Sequence, residues 1–175
     1  MLATLAAGVW LGGLAVLGVI VAKNTFSLMP QIVSDHPSAA AGIIMAQNFG
    51  EFNGVQLFCA AILVVTTGIC AVLARRKFGP IVRLLLSIAA AGLLVYSVQF
   101  VTPMLTSMQA DVAQAEEGST VQNKFDDFHR TSVRIAGTTM CLLAMLTLSL
   151  GWAGPPKPFV PDEEVVMPAT PASMP

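Results

Sequence analysis

Phe125-Asp-Asp-Phe-His-Arg-Thr-Ser-Val-Arg134 places two acids, a histidine and two arginines directly ahead of an apolar run, Ile135 to Trp152. That run is long enough to enter a bilayer as a helix. Charges at the head of such a run are costly unless they find partners, so the decapeptide marks both a span and a place to look for function. Once it is read as the mouth of a membrane helix, the other long apolar runs are of the same kind. The fold class follows as all-α: a polytopic membrane protein with four transmembrane helices in an up-down bundle.

Composition agrees. The 175 residues are 55% hydrophobic and 11% charged, with a mean hydropathy of +0.73, whereas about a quarter of a soluble domain is charged. A net charge of −1 and no basic cluster beyond Arg75-Arg76-Lys77 exclude nucleic acid as a partner, because phosphate binding needs a concentrated cationic face. Membrane lipid is the expected surrounding. Cys59, Cys70 and Cys141 all lie inside apolar runs and read as small hydrophobes rather than disulfide or zinc ligands.

Moving outward from the decapeptide, Leu2 to Ala22 carries no charge and reads as the first span, a retained helix rather than a removed signal peptide. Gly8-Val-Trp-Leu-Gly12, continued by Ala15, gives it a small-residue face suited to packing inside the bundle, or to a homodimer seam. Lys23 to Ser38, with Pro30, Asp35-His36 and Pro37 as breakers, reads as a loop. Ala39 to Ala74 is one long helix whose part beyond about Gly54 fills the bilayer, and whose first part carries Gln47, Asn48, Glu51, Asn53 and Gln56. A tight turn, Arg75-Arg76-Lys77-Phe-Gly-Pro80, followed by Arg83, leads to a third span, Ile81 to Val101, ending near Pro103. Met104 to Asn123 is the last loop.

Four positive charges around one short turn, with no acid among them, set that turn in the cytoplasm. Both termini are then expected to be cytoplasmic, in a cell inner (cytoplasmic) membrane. Residues 1–154 form the transmembrane domain. Residues 155–175, with seven prolines and the run Asp162-Glu163-Glu164, form a tail whose composition cannot build a core.

Two constellations could carry chemistry. Topology brings Glu51, Gln99, Asp126, Asp127, His129, Arg130 and Arg134 to roughly one level. Asp126, Arg130 and Arg134 follow at intervals of four, so they share a helix face. Glu51 is the natural counter-ion for Arg130 or Arg134. Such a polar layer either fixes helix register or opens outward as a site for an ion, a proton or a small anion. The second constellation is His36 and His129 with Met29, Met104 and Met108, a nitrogen and thioether set that suits copper(I). Its spacing matches no dedicated motif, and no resident cofactor is expected. Nucleophile elbow, phosphate loop and metalloprotease patterns are absent from the sequence, and no enzymatic activity is expected.

Two short segments carry a resemblance. Pro37-Ser-Ala-Ala-Ala-Gly42-Ile-Ile, followed by Phe49 and Phe52, resembles the loop and Ala-Gly opening of the second helix in the family named after transmembrane protein 205. Phe125-Asp-Asp-Phe-His129-Arg-Thr-Ser132 resembles that family's approach to its last helix, with Phe128 where leucine is usual and Ala136-Gly137 where an asparagine is usual. The family is of unknown function and is similar in appearance to copper-resistance D membrane domains. The resemblance implies a four-helix bundle and metal or small-molecule handling, and it supplies no catalytic residue. From the residues themselves the first expectation is a structural or accessory subunit, docking other membrane subunits through the tail and the small-residue helix faces. Metal (copper) or small-solute handling is the alternative.

Overall fold

The computed structural model describes residues 1–34, 37–74, 78–115 and 119–151, apart from the side chains of Ala39 and Ala113. His36, the Arg75-Arg76-Lys77 turn and the 155–175 tail lie outside the described residues. Among the described residues every regular element is helical. Helix α1 (Leu2–Ala15) passes through a π-helical segment (Val16–Val21) into α2 (Ala22–Ile32), and α3 (Pro37–Leu73) returns as one unbroken rod. Helix α4 (Phe78–Tyr96) likewise runs through a π segment (Ser97–Val101) into α5 (Thr102–Gln114), and α6 (Thr120–Gly151) completes the chain as described.

Four rods therefore result, each apolar and long enough to cross a membrane, and the chain is a multi-pass membrane protein by length and composition. The first rod has 31 residues and α3 has 37, or about 46 and 55 Å at 1.5 Å per residue, against a hydrocarbon core of about 30 Å. Each rod outruns the bilayer. The end that carries Met1, Leu73, Phe78 and Gly151 is here the near end; the end that carries Ile32, Pro37, Gln114 and Thr120 is the far end.

The expected loops, Lys23–Ser38 and Met104–Asn123, are corrected by this arrangement, because most of their residues are helical. The prolines that suggested breaks occupy positions where a helix tolerates them. Pro37 opens α3, where its missing N–H has no partner to lose, and Pro103 stands at the start of α5 just beyond a π segment. Pro30 lies inside α2, which ends two residues later at Ile32, so only its last turn forgoes a bond. The long second helix expected from Ala39 to Ala74 is present as α3.

Packing order fixes what each residue can reach. In the near half α1 lies against α3 and α6, and α4 also lies against α3 and α6, a closed ring in which α3 and α6 are diagonal. Trp10, Leu63, Leu143 and Leu146 fill its centre without exposure, joined by Ala7 and Ala90. Their side chains come from all four spans, so the core is shared rather than built by one helix pair. Leu5, Ile69, Leu85 and Leu148 point outward, as a rod surrounded by acyl chains allows.

The far half does not close in the same way. There α2 packs against α3, α3 also touches α5, and α5 packs against α6, while no comparable packing joins α2 to α6. One wall of the bundle is left open. No residue of α2 is buried, and Phe26, Leu28 and Ile32 are exposed.

Helix α1 enters the core with Ala6, Ala7, Trp10, Gly13 and Leu14, not with its Gly8–Gly12 face. Gly8 and Gly12 are exposed, and a methyl group on either would meet nothing. The intramolecular role expected of that face is therefore corrected. The glycine that permits close approach is Gly13, where the ring of Phe52 occupies the space that any side chain would need.

Candidate functional site

The residues expected to form an intramembrane polar layer do lie near one level. Counting along the antiparallel rods from the Gln109–Gly42 and Arg83–Ser149 hydrogen bonds puts Glu51, Phe100 and Ser132 at about the same height. Their side chains do not converge. Glu51, Gln99, Asp127, His129, Arg130 and Arg134 are exposed and Asp126 is half-buried. The expected pairing of Glu51 with Arg130 or Arg134 is corrected: α3 and α6 are diagonal, and no ion pair forms among the described residues. Glu51 instead accepts a hydrogen bond from Gln47 Nε2 at 3.3 Å, one turn back on its own helix. Asp126 and Arg130, which share a helix face, form no ion pair among the described residues. Exposed helix pairs of this kind gain only tenths of a kcal/mol, too little to hold two long side chains together.

The proposed copper ligands are spread over several elements. Met29 lies half-buried on α2, while Met104 (exposed) and Met108 (half-buried) lie on α5. His129 stacks on Phe125 one turn earlier on α6, ring centroids 6.2 Å apart and nearly parallel. Among the described residues no three His, Cys, Asp or Glu side chains come together around a metal-sized space.

The polar groups that the tertiary structure does bury are different ones. Trp10 Nε1 donates to Gln56 Oε1 at 2.8 Å, and Gln56 Nε2 donates to Asn53 Oδ1 at 3.1 Å. Nearer the other end the hydroxyls of Thr67 and Ser87 lie 3.3 Å apart between α3 and α4; Ser87 donates its proton to the Arg83 carbonyl, and the Leu63 carbonyl at 2.6 Å competes with Ser87 for the single proton of Thr67. Arg83, one turn into α4, donates through Nη2 to the carbonyl of Ser149 in the last described turn of α6. A cation at a helix C-terminus satisfies a carbonyl and complements the helix dipole. Arg83 thus belongs to the bundle as well as to the positively charged turn. A sequence signal existed for these groups: an indole, an amide and two small hydroxyls inside apolar runs need internal partners.

One concavity combines apolar and ionisable groups. Where the first rod widens into its π segment, Gly13, Val16 and Leu17 face Phe52 and Val55 of α3 across an open groove of about 400 Å³. Glu51 and Asn48 complete its wall. Val55 lies toward the bilayer centre and Asn48 toward the far end, so the groove runs from apolar to polar along the rod. It collects, on one side of the protein, a carboxylate, a carboxamide and an apolar trough. Such π segments are frequent at functional sites.

No curated protein and no solved structure matches the chain. A family profile described as a domain of unknown function matches residues 5–114, from α1 to the end of α5, and therefore covers both walls of the groove. The chain belongs to that family, the DUF4149 domain family.

Proposed function

We propose that this chain is a structural or accessory subunit of a larger membrane complex, and that a partner occupies the open wall at its far end. The observation that carries this reading is the unequal closure of the bundle: α2 leans on α3 with no residue buried, Leu28 and Ile32 share one uncovered face a turn apart, and the far half of α6 bears Lys124, Asp127 and Arg130. An apolar strip beside a charged one is the composition of an interface core and its rim. The tail, 155–175, is the second attachment, since its composition suits folding on a partner. In this reading the protein sits in a cytoplasmic membrane with both termini inside, because the Arg75-Arg76-Lys77 turn follows the positive-inside rule.

Extraction in mild detergent followed by particle mass and composition tests the proposal. A particle much larger than the 18.3 kDa chain, with reproducible foreign subunits that are lost in Leu28→Ser/Ile32→Ser, is expected. A wild-type chain that purifies alone, or a double variant that keeps the same partners, overturns it.

A second reading, metal or small-solute handling, draws on the likeness to the transmembrane protein 205 family and to copper-resistance D domains. One contact favours it: α5, which carries Met104 and Met108, packs against α6, which carries His129. Copper retained through purification under reducing conditions, and lost in His129→Ala, is the outcome that supports it. Metal-free wild-type protein after copper loading removes it.

A further inference from the structure

We infer that the groove between the first rod and α3 is a binding site for a phospholipid whose headgroup carries a primary ammonium. This does not rest on the subunit reading, since the groove lies between the first rod and α3, and the gap lies between α2 and α6.

Depth is the first argument. From Leu73, at the near end of α3, to Glu51 the helix rises about 33 Å, slightly more than the hydrocarbon thickness of about 30 Å. Glu51 therefore stands at headgroup level, while Val55, Phe52 and Gly13 lie on the acyl side of it. A lipid entering the trough places its chain and its headgroup against walls of matching polarity without tilting.

Shape is the second. Gly13 has no side chain and the Phe52 ring lies across it, so the trough has a smooth apolar floor. Val16 is exposed beside it, an apolar flank that acyl chains would cover.

Charge complementarity selects the headgroup. The Glu51 carboxylate accepts hydrogen bonds only, and Gln47 Nε2 uses one of its acceptor positions from a distance of 3.3 Å. No cation of the protein neutralises it among the described residues. An ammonium carries three donors for the positions that remain, whereas a quaternary ammonium carries none. Asn48, half-buried next to Glu51, supplies N–H donors for the phosphate of the same headgroup. At this depth water competes less than in bulk, which strengthens a charge-assisted bond. Phosphatidylethanolamine satisfies all these groups; phosphatidylcholine fills the trough but gives the carboxylate no donor beyond Gln47 Nε2; phosphatidylglycerol adds a net negative charge beside it.

The test uses the full chain reconstituted in vesicles with equal amounts of phosphatidylethanolamine, phosphatidylcholine and phosphatidylglycerol, with retained lipid read by native mass spectrometry. Wild-type protein is expected to retain phosphatidylethanolamine over phosphatidylcholine by on the order of tenfold, the scale of one hydrogen bond to a charged group. Glu51→Gln, an exposed and nearly isosteric change, should erase that preference without releasing all lipid. Val16→Phe, which blocks the apolar trough, should reduce retention of every lipid. Equal retention of the three lipids by the wild type, a preference that survives Glu51→Gln, or lipid retention untouched by Val16→Phe would each overturn the assignment.

Discussion

The two halves of this bundle solve opposite problems with the same four rods. In the near half each helix has two neighbours, the centre is occupied by Trp10, Leu63, Leu143 and Leu146, and the buried contacts Trp10–Gln56 and Thr67–Ser87 bridge helices. In the far half α2 has one packing neighbour, and Lys124, Asp127, Arg130 and Arg134 stand exposed on α6. The difference teaches where the energy of the fold resides. In lipid, helices are held by close contact and by satisfied polar groups rather than by escape from water, and both are concentrated in the near half. Arg83 marks the contrast most sharply: it is the cation there among the described residues, and it is spent on the carbonyl of Ser149. Arg130 and Arg134, one rod away and higher, have no such partner among the described residues.

The strongest attempt to break this comparison is Trp10→Ala. It empties a fully buried indole site and orphans Gln56 Oε1, so a loss of about 3–5 kcal/mol is expected, the range for large aromatic truncations, in reversible detergent unfolding. A loss under about 1 kcal/mol would mean that the near-half core is not the source of stability. Gly13→Leu probes the boundary between the halves. Its side chain would overlap Phe52, and the displaced ring should cost about 1–3 kcal/mol as overpacking does; the same assay, with Gly8→Leu as the lipid-facing control expected to be near neutral, distinguishes packing from helix propensity. The smallest effect is expected at the far end. Arg130→Ala and Arg134→Ala should each change stability by no more than about 0.5 kcal/mol, as exposed sites do. A loss of several kcal/mol in either would show that those guanidinium groups are held by a buried acid after all, and would restore the polar layer as a structural element.

Part of this was readable from the chain because it depends on solubility alone. Runs such as Leu2 to Ala22 and Ile135 to Trp152 are helices in lipid because no other backbone conformation satisfies its own hydrogen bonds there. The level of Glu51 relative to the decapeptide followed from counting residues along antiparallel rods. The loop assignments failed at Pro30 and Pro103 because proline disrupts a helix only where a neighbouring N–H is needed, and whether it is needed depends on where the helix begins and ends.

Sequence by itself determined the class, the four crossings and the presence of more charge at one end than at the other. Tertiary structure alone decided which face of each rod points inward, since a helix apolar all round carries too weak a stripe to orient it. Gln56 and Trp10 proved to be a buried polar pair, and Glu51, one turn and a little away on the same helix, proved to face the groove. A rotation of about 100° per residue separates neighbouring side chains on a helix of 3.6 residues per turn, and only the packing of α1 against α3 chooses among those directions.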